Sequence, residues 1–159
     1  KWVTDVTEFK VDNQKVYLSP VIDLFNQEVV SYEVRKSVAL PLVTDMLKSA
    51  ISKLSKNERP IIHSDQGWQY QNQAYQAQIR AQGLSQSMSR KGNCLDNAVA
   101  ENFFGILKTE MYHNEKFRNA DELIEAIKEY IEYYNNDRIK QKLKGLSPIA
   151  YRNQALKAA

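Results

Sequence analysis

The chain is organised around the sequence GNCLDNAVAENFFGILKTEMY, residues 92–112. Its first residues are typical of turns and helix N-caps, and apolar residues then recur at helical spacing. We therefore predict a loop that leads into a helix, with Glu101 beside the apolar stripe. Gly105 and Lys108 follow four and seven residues later and share the face of Glu101. This face suits a metal ligand followed by a phosphate contact, or else an ordinary solvated charge pair.

Two aspartates complete a candidate acidic site. Asp5 follows the β-prone run Trp2-Val3-Thr4, and Asp65 closes the run PIIHS at residues 60–64. Both aspartates therefore lie in or at the end of predicted strands. Between Asp65 and Glu101 lie 35 residues. An interval of this kind often arises by chance, so the surrounding residues must carry the identification.

Five ordered sequence blocks surround these acids and cover nearly all of the chain. They are W-x-x-D-x-T (2–7), H-S-D-x-G-x-Q-Y (63–70), D-N-A-x-x-E-x-F-F-x-x-L-K-x-E (96–110), Y-N-x-x-R (134–138) and L-S-P-x-x-Y (146–151). The chain thereby resembles the catalytic core of DDE transposases and retroviral-type integrases. The resemblance is closest to the insertion-sequence transposases of the "IS-three" group, in their second reading frame. One departure is Lys140, where many members carry histidine.

The resemblance implies an active site and a reaction. It makes Asp5, Asp65 and Glu101 the catalytic residues and the metal ligands. Their oxygen atoms select Mg²⁺ or Mn²⁺, and three close carboxylates without a cation would repel one another. Two ions per site would activate the attacking water or 3′-hydroxyl and stabilise the leaving oxygen. The implied reaction is DNA strand cleavage and strand transfer, an in-line phosphodiester transesterification, at the ends of an insertion sequence.

Further residues are expected to contact DNA. Lys108 matches the basic residue that the family places seven after the glutamate, and we expect it to touch phosphate. Asn97, one turn before Glu101, is expected to position DNA or orient the glutamate, or instead to cap the helix. Arg90 and Lys91 belong to a basic, glycine-containing loop that we expect to be poorly ordered without DNA. Arg138 opens a basic stretch that suits phosphate binding, or else is a solvated tail.

One histidine lies close to the site in sequence. His63 precedes Asp65 by two residues on a predicted strand, so the two side chains are expected to share a face. We expect His63 to form hydrogen bonds behind the metal ligands; a satisfied buried histidine is the alternative. The tyrosines near residue 134 have two interpretations as well, because they could stack on bases or pack in the core.

The hydrophobic pattern predicts an α/β fold. Three strands joined by short turns predict an antiparallel meander, with an irregularity such as a bulge at Pro20. Helices then alternate with two short strands, which predicts parallel pairing for the first of these strands. The result is a mixed five-stranded sheet flanked by helices, the RNase H-like fold of the family. The predicted strands are residues 2–9, 15–25, 28–34, 61–64 and 84–88; the predicted helices are 41–54, 72–82, one that carries Glu101, and one from a capping box at 119–122 to about 135.

The predicted domain organisation has one core and one extension. Residues 1–137 are expected to form the integrase-type core. Residues 138–159 carry six basic residues and no acidic one, and we expect a basic C-terminal extension that packs on the core or trails from it. Ser147-Pro148 is expected to end the ordered pattern. The N-terminal DNA-recognition region that family members carry is expected to be absent from this chain.

Composition excludes several classes of protein. The chain has 159 residues, of which 43% are hydrophobic and 26% charged, as in an ordinary globular domain. No apolar run reaches the length of a membrane span, and no signal-peptide pattern opens the chain. One cysteine excludes an internal disulfide, and two histidines are too few for a credible zinc site. We expect a cytoplasmic bacterial protein, without a membrane partner, that associates with the nucleoid when it acts on DNA.

Partners and alternatives follow from the resemblance. The expected partners are the terminal inverted repeats of a mobile element, the target DNA, and further copies of the chain as a homo-oligomer. One alternative is a structure-specific nuclease with the same fold, which would hydrolyse DNA without joining it. Another is a non-catalytic module for DNA binding or assembly.

Overall fold

The computed structural model describes residues 1–90 and 97–158. Within these residues the helices lie on both faces of one mixed sheet. The strands are β1 (Trp2–Thr4), β2 (Thr7–Val11), β3 (Gln14–Asp23), β4 (Val29–Arg35), β5 (Ile61–Ser64) and β6 (Ser85–Met88). The helices are α1 (Pro41–Ser52), α2 (Trp68–Gln71), α3 (Gln73–Ala81), α4 (Ala98–Glu110), α5 (Ala120–Asn136) and α6 (Pro148–Ala158), with 3₁₀ turns at Tyr112–Asn114 and Gln141–Leu143.

The sheet has the predicted order of antiparallel and parallel pairs. Strand β3 pairs antiparallel with β1, β2 and β4. Strand β1 then pairs in parallel with β5, and β5 in parallel with β6. The first and fourth predicted strands are therefore neighbours, as the RNase H-like prediction required. Because parallel strands end at the same edge of a sheet, the carboxyl ends of β1 and β5 meet.

The described sheet has six strands rather than five, because the first predicted strand is divided. Both halves keep one register against β3, with Thr4 opposite Val21 and Thr7 opposite Leu18. That register sets Asp5 opposite Pro20, which has no N–H to donate to the ladder. The pairing of β3 with β4 also shifts, between Val21 and Ile22, so the irregularity predicted near Pro20 is confirmed.

The two faces of the sheet pack against different helices. Val3 belongs to the core formed with α4 and α5, whereas Trp2 belongs to the core formed with α1 and α3. Since side chains alternate along a strand, Asp5 shares the face of Val3 and points to the side of α4. Ile62 likewise packs with the α1 side, so His63 and Asp65 face α4. The helix that carries Glu101 thus lies over the strand ends that carry both aspartates.

Side-chain caps fix two of the predicted helix starts. The side chain of Asn72 accepts a hydrogen bond from the Ala74 N–H, and that of Asn119 accepts one from the Glu122 N–H. The predicted capping box at residues 119–122 is therefore confirmed at its first residue. The four-residue helix α2 was not predicted; it lies directly after the turn that follows Asp65.

The end of the chain differs from its prediction. Ser147-Pro148 begins α6 rather than ending the ordered pattern. The Ser147 hydroxyl accepts a hydrogen bond from the Ala150 N–H, and proline is favourable in a first helical turn because it needs no N–H partner there. The Arg152 guanidinium forms ion pairs with Asp23 and Glu28. The C-terminal helix thereby contacts the turn between β3 and β4.

None of the helices in the described residues is long and apolar enough to cross a membrane.

Candidate active site

Asp5 lies in the gap between β1 and β2. Its carboxylate accepts a hydrogen bond from the Val6 N–H at 2.8 Å. Burial raises the pKa of Asp5 to about 6, and the negative charges of Asp65 and Glu101 add to the rise, while the Val6 hydrogen bond opposes it. The charges of Asp65 and Glu101 therefore act on Asp5, which is the most sheltered of the three acids.

Asp65 follows β5 directly. Its Oδ1 atom accepts a hydrogen bond from the Gly67 N–H at 2.7 Å. A Cβ atom at Gly67 would lie only 3.0 Å from that same oxygen. Residue 67 must therefore remain small for the carboxylate to keep this orientation. The turn thus places a solvent-exposed carboxylate beside Asp5, at the neighbouring strand end.

Glu101 lies in the first turn of α4 and is exposed. In the described residues, no arginine or lysine forms an ion pair with Asp5, Asp65 or Glu101. Nor does any group of three histidine, cysteine, aspartate or glutamate side chains lie close enough to hold one metal ion, as far as residues 1–90 and 97–158 are concerned. The acids are gathered at one edge of the sheet but do not form a closed ligand set.

Lys108 contacts the strand that follows Asp5. Its ammonium donates a hydrogen bond to the Thr7 hydroxyl at 2.9 Å and lies 5.1 Å from the centre of the Phe9 ring. Lys108 lies two turns after Glu101 on the same face of α4 and therefore packs against β2. Contact of Lys108 with DNA phosphate stays a prediction.

Asn97 precedes α4 and is 5% exposed. Its side chain makes no capping hydrogen bond, and its Oδ1 atom has no partner among the residues that the structure describes. The capping alternative is therefore not observed. Arg90 is exposed at the end of the described segment. Lys91, with residues 92–96 of the predicted loop, lies outside the described residues.

His63 is a buried histidine on β5. It is 2% exposed, and its Nδ1 atom lies 2.9 Å from the Ser87 hydroxyl on β6. The contact joins two neighbouring strands of the sheet. The contact gives one ring nitrogen of His63 a partner; whether the histidine is only a satisfied core residue or acts behind the metal ligands stays a prediction.

Arg138 forms an ion pair with Glu110, the last residue of α4. Its guanidinium binds both carboxylate oxygens of Glu110, with its Nε atom 2.8 Å from Oε1 and its terminal nitrogen 2.6 Å from Oε2. The Tyr130 hydroxyl donates to the same carboxylate. Glu110 follows Glu101 by nine residues, roughly 13 Å along a helix. Arg138 therefore joins the start of the C-terminal extension to α4, and its predicted contact with DNA has no support in this arrangement.

The sequence blocks held two residues to which we assigned no role. Thr7, the last residue of W-x-x-D-x-T, binds Lys108. Tyr70, the last residue of H-S-D-x-G-x-Q-Y, is buried in the core on the α1 side, and its ring flanks the Gly67 turn. Each of these residues lies in the same short sequence block as one of the acids, and that position was the only indication in the sequence that it could matter to the site.

Comparison with known proteins bears on the whole chain. The family model described as "Integrase core domain" matches residues 1–94, and a second model of the same description matches residues 101–156. InsK of insertion sequence element IS150 from Escherichia coli (strain K12) is 58% identical over 154 residues, which are 97% of this chain and 54% of InsK. A transposase-like protein of Haemophilus influenzae is 53% identical over 156 residues, 98% of this chain and 72% of that protein. The transposase InsF for insertion sequence IS3A from E. coli is 36% identical over 98% of this chain and 54% of InsF.

The chain thus spans about half the length of InsK and InsF. Solved structures agree on the fold. The HTLV-2 integrase catalytic core domain in complex with magnesium superposes with a TM-score of 0.74 at 20% identity, over 94% of this chain and 93% of that one. The catalytic domain of the Mos1 mariner transposase superposes with a TM-score of 0.64 at 12% identity, over 82% of this chain and 69% of that one. The chain belongs to the integrase core domain family and has its RNase H-like fold.

Proposed function

We propose that this chain is the catalytic core of an insertion-sequence transposase, which cleaves and joins DNA strands with Asp5, Asp65 and Glu101. The observation that supports the proposal is the parallel pairing of β1 with β5, since Asp5 and Asp65 directly follow these neighbouring strands, and α4, which carries Glu101, packs on the same face of the sheet. The raised pKa of Asp5, due first to burial and then in part to Asp65 and Glu101, agrees with this arrangement. The transposase relatives support the reaction class.

The donor set fits a divalent cation of the Mg²⁺ or Mn²⁺ type. It consists of carboxylate oxygens, which these cations prefer, and in the described part of the chain no basic side chain neutralises them. The integrase neighbour was solved with magnesium. Bound cations would supply activation of the attacking hydroxyl or water and stabilisation of the leaving oxygen. We propose two ions, held by Asp5, Asp65 and Glu101.

The backbone around the aspartates orients their carboxylates. The Val6 N–H holds one oxygen of Asp5, and the Gly67 N–H holds one oxygen of Asp65. Each aspartate keeps a second oxygen for a cation. Glu101 is carried by a rigid helix whose preceding residues are polar and basic, so the approach of DNA is the event we expect to complete the site.

DNA is the proposed partner, as terminal repeats of a mobile element and as target. Lys108 is proposed to move from the Thr7 hydroxyl to a phosphate oxygen, a stronger acceptor for an ammonium. Asn97, Arg90 and Lys91 precede or begin the same helix and are proposed to line the path of DNA. We also propose that the protein acts as a homo-oligomer in the bacterial cytoplasm, at the nucleoid.

A labelled duplex that ends in the element's terminal repeat tests this function. Incubated with the protein and Mn²⁺, it should give shortened strands and also strands longer than the substrate, because transesterification joins the freed 3′-hydroxyl to another strand. Asp5→Asn, Asp65→Asn and Glu101→Gln should each abolish both products, whereas Glu129→Gln, an exposed acid on α5, should not. Shortened strands alone would indicate a nuclease. Products that persist in the Asp5 and Asp65 variants would contradict the proposal.

A further inference from the structure

Both sequence neighbours of Asp65 are hydrogen-bonded to one residue of the adjoining segment. Ser89 directly follows β6, and its N–H donates to the Ser64 carbonyl at 2.9 Å. The Ser89 hydroxyl donates to the same carbonyl at 3.2 Å. The Gln66 side-chain amide donates to the Ser89 carbonyl at 3.1 Å. Ser89 therefore holds the residue before Asp65 and the residue after it, and we call these three hydrogen bonds the Ser89 clamp.

One bond of the Ser89 clamp belongs to the sheet, and the other two do not. Ser64 pairs with Met88 in the parallel ladder of β5 and β6, and the Ser89 N–H makes the last bond of that ladder. Ser64 is also the last residue of β5, so Asp65 lies where the chain leaves the sheet. The Gln66 side chain adds a connection beyond the end of the ladder. Asp65 is thereby tied to the sheet on both sides.

Other hydrogen bonds fix further parts of Asp65. The Ser64 hydroxyl donates to the Asp65 carbonyl at 2.9 Å, and the Gly67 N–H holds the Oδ1 atom at 2.7 Å. The Ser89 clamp restrains the backbone, and the Gly67 N–H restrains the carboxylate. Because both are held, the second carboxylate oxygen can point in few directions. A ligand that is oriented before the cation arrives binds it more tightly.

The Gln66 side chain has little to contribute to the stability of the fold. Gln66 is exposed, whereas Ser89 is buried. When one neutral hydrogen bond of an exposed side chain is lost, water replaces it, so the net effect on the free energy of unfolding is small. A glutamine side chain also loses rotamer freedom when it is fixed. The position that the bond gives to Asp65 accounts for it better than stability does.

We propose that Gln66 is a positioning residue, whose side chain acts through the Ser89 clamp to hold Asp65 in the orientation that a divalent cation requires. In this role Gln66 contacts neither the cation nor DNA. Loss of a residue that orients a metal ligand typically lowers metal affinity by roughly 10- to 100-fold. This inference rests on the proposed function, since it assumes a cation at Asp65.

Gln76 provides a matched control. Its side-chain amide also donates to a backbone carbonyl, that of Tyr70, at 3.3 Å. Methionine has nearly the length of glutamine but no N–H group to donate. Gln66→Met and Gln76→Met therefore each remove one hydrogen bond from an amide to a carbonyl. Only the first of these bonds is made by a sequence neighbour of Asp65.

Calorimetric titration with Mn²⁺ alone tests the inference. Gln66→Met should weaken Mn²⁺ binding roughly 10-fold, whereas Gln76→Met should bind Mn²⁺ as the wild type does. Without Mn²⁺, both variants should melt within about 4 °C of the wild type. In strand-cleavage assays, the activity lost by Gln66→Met should return as the Mn²⁺ concentration is raised, and its KM for DNA should equal that of the wild type.

Several results would overturn the inference. If Gln66→Met binds Mn²⁺ as tightly as the wild type, or if both variants lose affinity equally, Gln66 does not position Asp65, and the proposed function stands. A higher KM for DNA with unchanged Mn²⁺ affinity would make Gln66 a DNA contact instead. A melting temperature of Gln66→Met well below that of Gln76→Met would indicate a structural role. If the wild type itself binds no more Mn²⁺ than Asp65→Asn does, the proposed function fails, and the inference fails with it.

Discussion

Asp5 lies opposite Pro20 in the register that joins β1 and β2 to β3. Because proline donates no backbone hydrogen bond, the ladder is interrupted at this pair. The Val6 N–H then binds the Asp5 carboxylate rather than a carbonyl group. A defect in the sheet thus provides both the position and the orientation of a half-buried acid.

The half-buried carboxylate of Asp5 should make the cation-free protein less stable above about pH 6 than at pH 4. Its pKa rises from 3.8 to about 6 on folding, so the folded state holds a proton that the unfolded state releases. The free energy of unfolding should therefore fall as the pH rises from about 4 to about 6 and stay low above that range. Asp5→Asn should raise it at pH 8, by up to roughly 3 kcal/mol, and leave it unchanged at pH 3.

Urea unfolding at the two pH values measures this difference. Mg²⁺ at pH 8 should stabilise the wild type and have little effect on Asp5→Asn, since the cation relieves the same repulsion. Equal stability of the two proteins at pH 8 would refute the electrostatic account of Asp5.

Gly67→Ala should impair the site without unfolding the protein. The new Cβ atom would lie 3.0 Å from Asp65 Oδ1 and 3.0 Å from Gln69 Oε1, so the carboxylate must turn away. We expect at least a tenfold loss of strand cleavage with less than about 1 kcal/mol of lost stability. The matched control is Gly105→Ala on α4, where a Cβ meets nothing within 4 Å. That variant should gain about 0.5–1 kcal/mol from helix propensity. Full activity of Gly67→Ala would show that the orientation of Asp65 is unimportant.

Arg138→Gln should destabilise the fold more than it weakens DNA binding. It removes a bidentate pair with Glu110 that is largely sheltered on the arginine side, at 20% exposure. We expect a loss of about 1–2 kcal/mol, against less than about 0.5 kcal/mol for Lys128→Gln, whose pair with Glu125 is exposed. The pairing also lowers the pKa of Glu110, so its stabilising effect should disappear as the pH falls below 4.5. An unchanged melting temperature with weaker DNA binding would instead favour the phosphate contact.

Lys108→Gln should weaken binding to DNA of any sequence. If its ammonium binds phosphate, the slope of log affinity against log salt should fall by about 1. Thr7→Val is the control, because it removes the partner of Lys108 in the free protein and leaves the charge. Thr7→Val should bind DNA as well as the wild type does. A salt dependence that Lys108→Gln leaves unchanged would assign Lys108 to the β2 contact alone.

The sequence was sufficient for the parts of the site that depend on local geometry. Strand alternation put His63 and Asp65 on one face, and helical spacing put Glu101 and Lys108 on one side of α4. The parallel neighbours β1 and β5 followed from the crossover helix. These relations follow from the fixed number of residues per helical turn and from the alternation of side chains along a strand, so they could be predicted without coordinates.

Other relations depend on contacts between distant residues and could not be predicted. Glu110, the last residue of α4, binds Arg138, which lies just beyond the end of α5, and the basic sequence around Arg138 did not indicate that partner. The burial of Tyr70 in the core on the α1 side could not be predicted from its place in a sequence block. Ser147-Pro148 was ambiguous because the same pair can end one pattern and begin a helix.

A crystal structure of the protein soaked in Mn²⁺ tests the central claim most directly, through anomalous density at the acidic edge of the sheet. The account predicts an anomalous peak at the carboxylates of Asp5 and Asp65. The absence of anomalous density at both aspartates, at Mn²⁺ concentrations that saturate the protein in solution, would contradict it.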